Sequence, residues 1–218
     1  MVTNRMFARI NELGARMQRV LPLLLGATLW SIPLIGSAQE GQRMSFSLYD
    51  QSTAVPFTRF FTTPMHPGIQ VAAEFDLNDR PRGRFFTAAH LGYFYHAHLA
   101  QGFYVGGDLG YETRFKFGLS LAGMLGAGYL RTYVTQPEYI FQNGSYVRRP
   151  DKGNGRLMPS ISLETGYYFK PERNSTQLFV RYQSWLEYPY SPGFIELMSH
   201  INLHLGVRFT LGRNTPQP

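Results

Sequence analysis

The stretch HINLHLGVRFTL, His200–Leu211, alternates apolar and polar residues without a break. Ile201, Leu203, Leu205, Val207, Phe209 and Leu211 fall on one side, and His200, Asn202, His204, Gly206, Arg208 and Thr210 on the other. A period of two is the signature of a β-strand, whose successive side chains point to opposite faces. Which face meets solvent, and what that solvent is, decides the fold.

The same pattern recurs along the chain. Met44–Tyr49, Ile69–Leu77, Phe85–His98, Phe103–Arg114, Phe117–Tyr133, Gly155–Phe169 and Thr176–Tyr190 also alternate, which with the opening stretch makes eight predicted strands. Turn chemistry separates them, as at Asn78-Asp79-Arg80-Pro81-Arg82-Gly83. A largely polar excursion, Val134–Asn154, interrupts the series. Most strands run longer than the roughly 5 to 6 residues usual in soluble sheets and approach the ~9 to 11 that a tilted strand needs to cross a bilayer. The polar face is rich in glycine, small residues and single charges, as at Gly118, Ser120, Ala122, Gly126 and Gly128. That composition suits the crowded interior of an eight-stranded barrel, which has room only for its own side chains. The apolar face is therefore predicted to meet lipid. The fold class expected is all-β: an eight-stranded antiparallel up-and-down transmembrane β-barrel.

Connection lengths support the assignment. With the end of the last strand placed in the periplasm, residues 50–68, 98–102, 134–154 and 190–198 are outside, while 79–83, 114–117 and 170–175 are inside. Both of the longest connections then lie outside, as transmembrane barrels require. Tyr93, Tyr95, Phe103, Tyr133 and Tyr188 would form an outer aromatic girdle, with Tyr111, Tyr167, Phe169 and Phe209 an inner one.

The N-terminus carries Arg5, Arg9, Arg16 and Arg19 ahead of an apolar run, Val20–Gly36, and then Ser37-Ala38-Gln39. This is the order of a secretory signal, with cleavage expected after Ala38, so residues 1–38 are a signal peptide and 39–218 the barrel. A retained membrane helix is disfavoured by Pro22, Pro33 and Gly36. Removing 1–38 takes four arginines and Glu12 from 21 basic and 14 acidic side chains, leaving 17 and 13, a balance of +4. No basic run resembles a nucleic-acid arm, so no nucleic-acid partner is expected. The 218 residues include no cysteine, which excludes disulfides, thiol chemistry and a lipidated cysteine.

His204-Leu-Gly206-Val-Arg-Phe209-Thr-Leu211 resembles the C-terminal signal of bacterial outer-membrane barrels: a polar residue, a glycine two on, then hydrophobic or aromatic positions spaced by two. The resemblance extends to the whole chain after the signal, which looks like a small barrel of the OmpA, OmpX or OmpW kind. It implies recognition by the barrel-assembly machinery during insertion, an outer-membrane location, and outer-membrane lipid and lipopolysaccharide as surroundings. The family often ends at the aromatic position, whereas Gly212–Pro218 follow here. That tail, and the phrase His66-Pro-Gly-Ile69, resemble Bacteroidota versions of these barrels.

Parity assigns Glu74, Asp76, His90, His96, Asp108, Glu112, Arg114, Glu164, Arg181, Glu187, His200, His204 and Arg208 to the interior. Charges in a dry lumen must be paired, so these are expected to form a network that plugs the barrel; the alternative is a proton or ion path through it. His96 with His98, and His200 with His204, share faces at strand spacings of about 7 and 13 Å, the second too far apart for one metal. They are read as hydrogen-bonded interior histidines, and no metal or cofactor is expected. Lipid A deacylases carry a His-x-Ser strand motif, which is missing here; an acyltransferase-like use of His96 or His98 with a loop serine stays open. Loop residues remain as binding candidates: Phe57, Phe60 and Phe61 with Pro56 and Pro64 in one loop, and Tyr139, Phe141, Tyr146, Arg148, Arg149 and Lys152 in another. An aromatic loop beside a basic one suits a membrane-protein partner or the phosphates of lipopolysaccharide. The expected role is structural or interactive, followed by a small passive pore and then a lipid-modifying enzyme.

Overall fold

The computed structural model describes residues 42–58, 60, 63–80, 83–137, 139–142, 144–148, 150–170, 175–191 and 193–212. The expected signal segment, Phe61, Arg149 and the tail from 213 onwards lie outside these residues.

Eight strands close on one another: β1 (Gln42–Thr53), β2 (Pro67–Arg80), β3 (Gly83–Tyr95), β4 (Ala100–Arg114), β5 (Leu119–Val134), β8 (Asn154–Tyr168), β9 (Gln177–Glu187) and β10 (Met198–Leu211). All neighbours are antiparallel, and β1 pairs with both β2 and β10 to complete the ring. The remaining two strands, β6 (Tyr139–Gln142) and β7 (Ser145–Arg148), form a separate hairpin inside the polar excursion Val134–Asn154, where no strand was expected. Strands of four residues with exposure on both faces carry no periodic signal strong enough to read.

One end of the barrel has short connections, such as the turn over 115–118 in which Gly118 adopts a φ of +94°. The other end carries the loops 54–66, 96–99, 135–153 and 188–197. The outward face is an apolar band running through Leu48, Leu91, Leu109, Leu125, Ile161 and Leu205, all exposed. Aromatic pairs flank the band: Tyr93 on Phe103 near the long-loop end, Phe85 on Tyr111 near the other, each with ring centres 4.7 Å apart.

Inside, the barrel is filled in layers. Towards the long-loop end Tyr49, Phe94, Tyr104, Leu130, Met158 and Trp185 form one apolar cluster, and lower down Phe86, Ala88 and Met124 form another. Four of the large rings lie over a glycine directly across the ladder: Tyr104 over Gly92, Phe94 over Gly102, Phe86 over Gly110, and Phe179 over Gly206. The inward glycines thus make space for aromatic rings in a lumen too narrow for side chains from every position.

Two expectations from periodicity are corrected. β3 ends at Tyr95, so His96 and His98 belong to the 96–99 turn and not to an interior strand face. Ile201, expected on the lipid side, is only 1% exposed. It points outward, but the β1–β2 loop folds down over that part of the wall. Ser199 Oγ donates to Ala54 O at 2.9 Å, the Phe57 amide donates to Tyr182 Oη at 2.7 Å, and the Phe57 and Phe60 rings lie 5.1 and 5.5 Å from that of Tyr182.

Candidate functional site

The expected interior residues meet in a lumen network at the short-turn half of the barrel. Arg84 comes from the start of β3 and reaches three carboxylates: Glu74 at 2.7 Å, Asp76 at 2.6 Å and Glu112 at 2.5 Å. Arg208, on β10, bonds Glu74 at 2.6 Å and Glu164 at 2.9 Å and also contacts Gln177. Arg181 closes the chain on Glu164 at 2.8 Å. Tyr168 donates to Glu112 at 2.7 Å, and Gln177 bridges to Ser120 at 2.6 Å. With Arg43 4.0 Å from Asp76, four arginines face four carboxylates, so the cluster is neutral as a unit. Buried charges persist only when paired in this way, because each carries a desolvation cost of several kcal/mol.

A second chain of polar groups climbs towards the long loops. Ser47 is hydrogen-bonded to His204 Nδ1 at 3.1 Å, His204 Nε2 to Gln183 at 3.3 Å, Asn202 donates to Gln183 at 2.9 Å, and Trp185 donates to Asn202 at 3.1 Å. His90 pairs with Asp108 at 2.9 Å. At the rim His200 pairs with Glu187 at 2.8 Å and stacks on Trp185, while Arg156 takes the other Glu187 oxygen. His200 and His204 thus have separate partners and do not converge.

Not every predicted member belongs. Arg114 sits at the short-turn rim, covering the Tyr168 ring at 4.0 Å and donating to Lys170 O. His96 stacks face to face on His66 at 3.6 Å and accepts a bond from the His98 amide. Burial, followed by the neighbouring His66 and His98, holds its imidazole below the usual value. Arg84, Arg43 and Arg156 were missed. Arg84 has the same even parity as Glu74, Asp76 and Glu112 and falls one residue before the predicted strand Phe85–His98, Arg43 falls one residue before Met44–Tyr49, and Arg156 lies within Gly155–Phe169 on the same parity as Glu164. The glutamines and Asn202 complete the network but carry no charge pattern to flag them.

At the long-loop end the β6–β7 hairpin presents Tyr139, Phe141 and Tyr146, all exposed, and Phe141 packs edge-on to Tyr146. A cavity of about 360 Å³ opens at its base, lined by Val134, Thr135, Gln136, Pro137, Arg148, Pro150 and Asp151. Asp151 ties this loop to the barrel by accepting bonds from the Val134 and Gly153 amides at 2.6 and 2.8 Å. The neighbouring Lys152 gives its carbonyl to Arg131. Phe57 and Phe60 lie against Tyr182 on β9, the strand next to β8.

These features define the class of protein: a small, closed, eight-stranded antiparallel barrel of the outer-membrane type. Neisserial surface protein A shares the fold, with a TM-score of 0.50 and 13% identity over 78% of this chain and 96% of that one. The outer-membrane enzyme PagL (TM-score 0.45, 10% identity, 78% and 99% covered) and the attachment invasion locus protein Ail of Yersinia pestis (0.41, 15%, 78% and 99%) are also similar. No family model matches the sequence, and no curated protein sequence resembles it.

Proposed function

We propose that this protein is an integral outer-membrane barrel, exported by the signal over residues 1–38, whose lumen is closed by its own side chains. It acts through the long-loop end as a structural or interaction protein. The observation that carries the reading is the lumen itself: a neutral network of interlocked arginines and carboxylates below, and a layer of six packed apolar side chains above. A path for solutes would have to break several charge-assisted bonds and displace Trp185, Phe94 and Tyr104 together. Specificity then falls to the loops, with the aromatic Phe57 and Phe60 in one and the hairpin carrying Tyr139, Phe141, Tyr146 and Arg148 in another. The partners proposed are lipopolysaccharide and a second membrane protein.

Three measurements test this. Planar-bilayer recording of the purified chain is expected to give no steady conductance steps, and regular steps would overturn the closed lumen. Gentle detergent extraction at low salt, followed by identification of what stays bound, is expected to return a stoichiometric partner or tightly held lipopolysaccharide. Recovery of the bare barrel would remove the interaction role. Altered lipid A acyl chains in cells carrying the protein would move the reading to an enzyme.

A further inference from the structure

The β1–β2 loop contains a residue in an expensive conformation. Val55-Pro56-Phe57-Thr58 closes as a turn, with the Thr58 amide donating to Val55 O at 3.2 Å, and Phe57 has a φ of +64°. Proline second and a positive φ third is the pattern of a type II turn, where glycine or asparagine is the ordinary third residue. A bulky side chain in that region costs roughly 1–2 kcal/mol. The turn keeps phenylalanine, and its ring stacks at 15° on Tyr182. Even so stacked, Phe57 is 65% exposed, as is Val55, and Phe60 is 54% exposed. The loop therefore offers a second apolar surface outward after covering the first.

The height of this surface on the barrel is fixed by the strand beneath it. β9 has only 11 residues, Gln177–Glu187, and crossing a bilayer takes about 9 to 11. Nearly the whole of β9 is needed, and Tyr182 is at its middle. Below Tyr182 the outward residues Leu178 and Val180 are exposed, and on the adjoining strand so is Leu205. One strand step, about 7 Å, separates Val180 from Tyr182. The loop surface thus continues the apolar band directly. The loop from 54 to 65 carries a single charged residue, Arg59, a side-chain type that reaches lipid headgroups while its stem stays among apolar neighbours, and is otherwise apolar or threonine.

We infer that the β1–β2 loop is embedded in the outer leaflet, presenting Val55, Phe57 and Phe60 to lipid acyl chains in place of the barrel wall over β9 and β10. This rests on the reading of the barrel as membrane-spanning. Irregular backbone at that depth is tolerated only when its polar groups are satisfied within the protein. Here the Phe57 amide is bonded to Tyr182 Oη, the Thr58 amide and hydroxyl to Val55 O, and Ala54 O to Ser199 Oγ. On the hairpin side Arg148 and Lys152 are exposed charges, which suit the aqueous face. The long-loop end therefore carries two kinds of loop, one gripping lipid and one open to water.

The absence of cysteine makes the test direct. Val55→Cys and Phe60→Cys, which leave the Phe57–Tyr182 stack in place, are each spin-labelled in the full chain. The protein is refolded into vesicles of phosphatidylethanolamine and phosphatidylglycerol. Collision rates with oxygen, which concentrates in lipid, and with a water-soluble nickel chelate give the surroundings of each label. Leu205→Cys is the lipid reference and Tyr146→Cys the aqueous one. Labels at Val55 and Phe60 are expected to match Leu205, with a several-fold preference for oxygen over nickel. Values matching Tyr146 would place the loop in water and overturn the inference. Labels reached by neither reagent until diluted with unlabelled chain would mean that a second barrel covers the loop, which also overturns it. Nickel access at Leu205 would instead show that the spanning reading itself has failed.

Discussion

Replacing Arg208 with leucine removes the most connected charge in the lumen while keeping most of the bulk. Arg208 holds Glu74 at 2.6 Å and Glu164 at 2.9 Å and contacts Gln177, and it is 2% exposed. After Arg208→Leu, Glu74 keeps Arg84 and Glu164 keeps Arg181, but the four-against-four balance becomes one negative charge in excess. Breaking a buried ion pair from one side costs about 3–5 kcal/mol, because the charge left behind stays out of water. At 1.4 kcal/mol per factor of ten, the folded-to-unfolded ratio drops by roughly two to three and a half orders of magnitude. Urea titration of the vesicle-inserted protein, followed by the fluorescence of Trp185, which stacks on His200 in the lumen, measures the loss. Adding Glu74→Gln removes the stranded charge and is expected to restore part of the stability, with a coupling of about 0.5–3 kcal/mol. Lys152→Ala, in an exposed loop, is the control with no shift in midpoint. If Arg208→Leu were as mild as that control, the network would be solvated, and the closed lumen would fall with it.

Three other outcomes are expected. Gly110→Ala places a Cβ 2.7 Å from Phe86 Cε1 and 2.9 Å from Met124 Cγ, so it should destabilise by about 1–3 kcal/mol in the same titration, with Phe86→Leu recovering part. Tyr182→Ala removes both the ring under Phe57 and the acceptor of its amide, leaving the strained φ uncompensated; limited proteolysis should cut within 54–66 far faster, and unchanged cutting would show that the loop does not depend on Tyr182. Because His96 holds its proton less tightly folded than the ordinary imidazole value of about 6.5, the stacked pair with His66 is fully stable above that pH and weakens as pH falls below it. An NMR titration of the His96 ring should therefore give a midpoint below 6.5 that rises in His66→Ala; a midpoint at or above 6.5 in the parent would contradict this.

Lumen closure and the loop contact on Tyr182 differ in how legible they are beforehand. Glu74, Glu112, Glu164, Arg181 and Arg208 can be assigned to one interior by counting alternate residues, since parity is a property of the strand alone. Their partnerships cannot: Glu74 and Arg208 are 134 positions apart and meet only because β1 closes the ring between β2 and β10. Parity also fails where a strand stops, so His96 and His98 look like interior residues until the chain turns at Tyr95. Gln177, Gln183 and Asn202 are polar residues like many others until the register sets them beside a buried charge or ring.

What the sequence alone determined is the architecture, because two-residue periodicity, strand length and the alternation of short and long connections are each local and together admit one closed solution. The glycines belong to the same category, since only a crowded interior calls for so many on a polar face. The tertiary structure alone decided which arginine holds which carboxylate, that Arg84 is central and Arg114 peripheral, and that Ile201, apolar and outward by parity, is covered by protein. Those facts depend on register and on the fold-back of a loop, which bring together residues whose separation in the chain carries no trace of their contact.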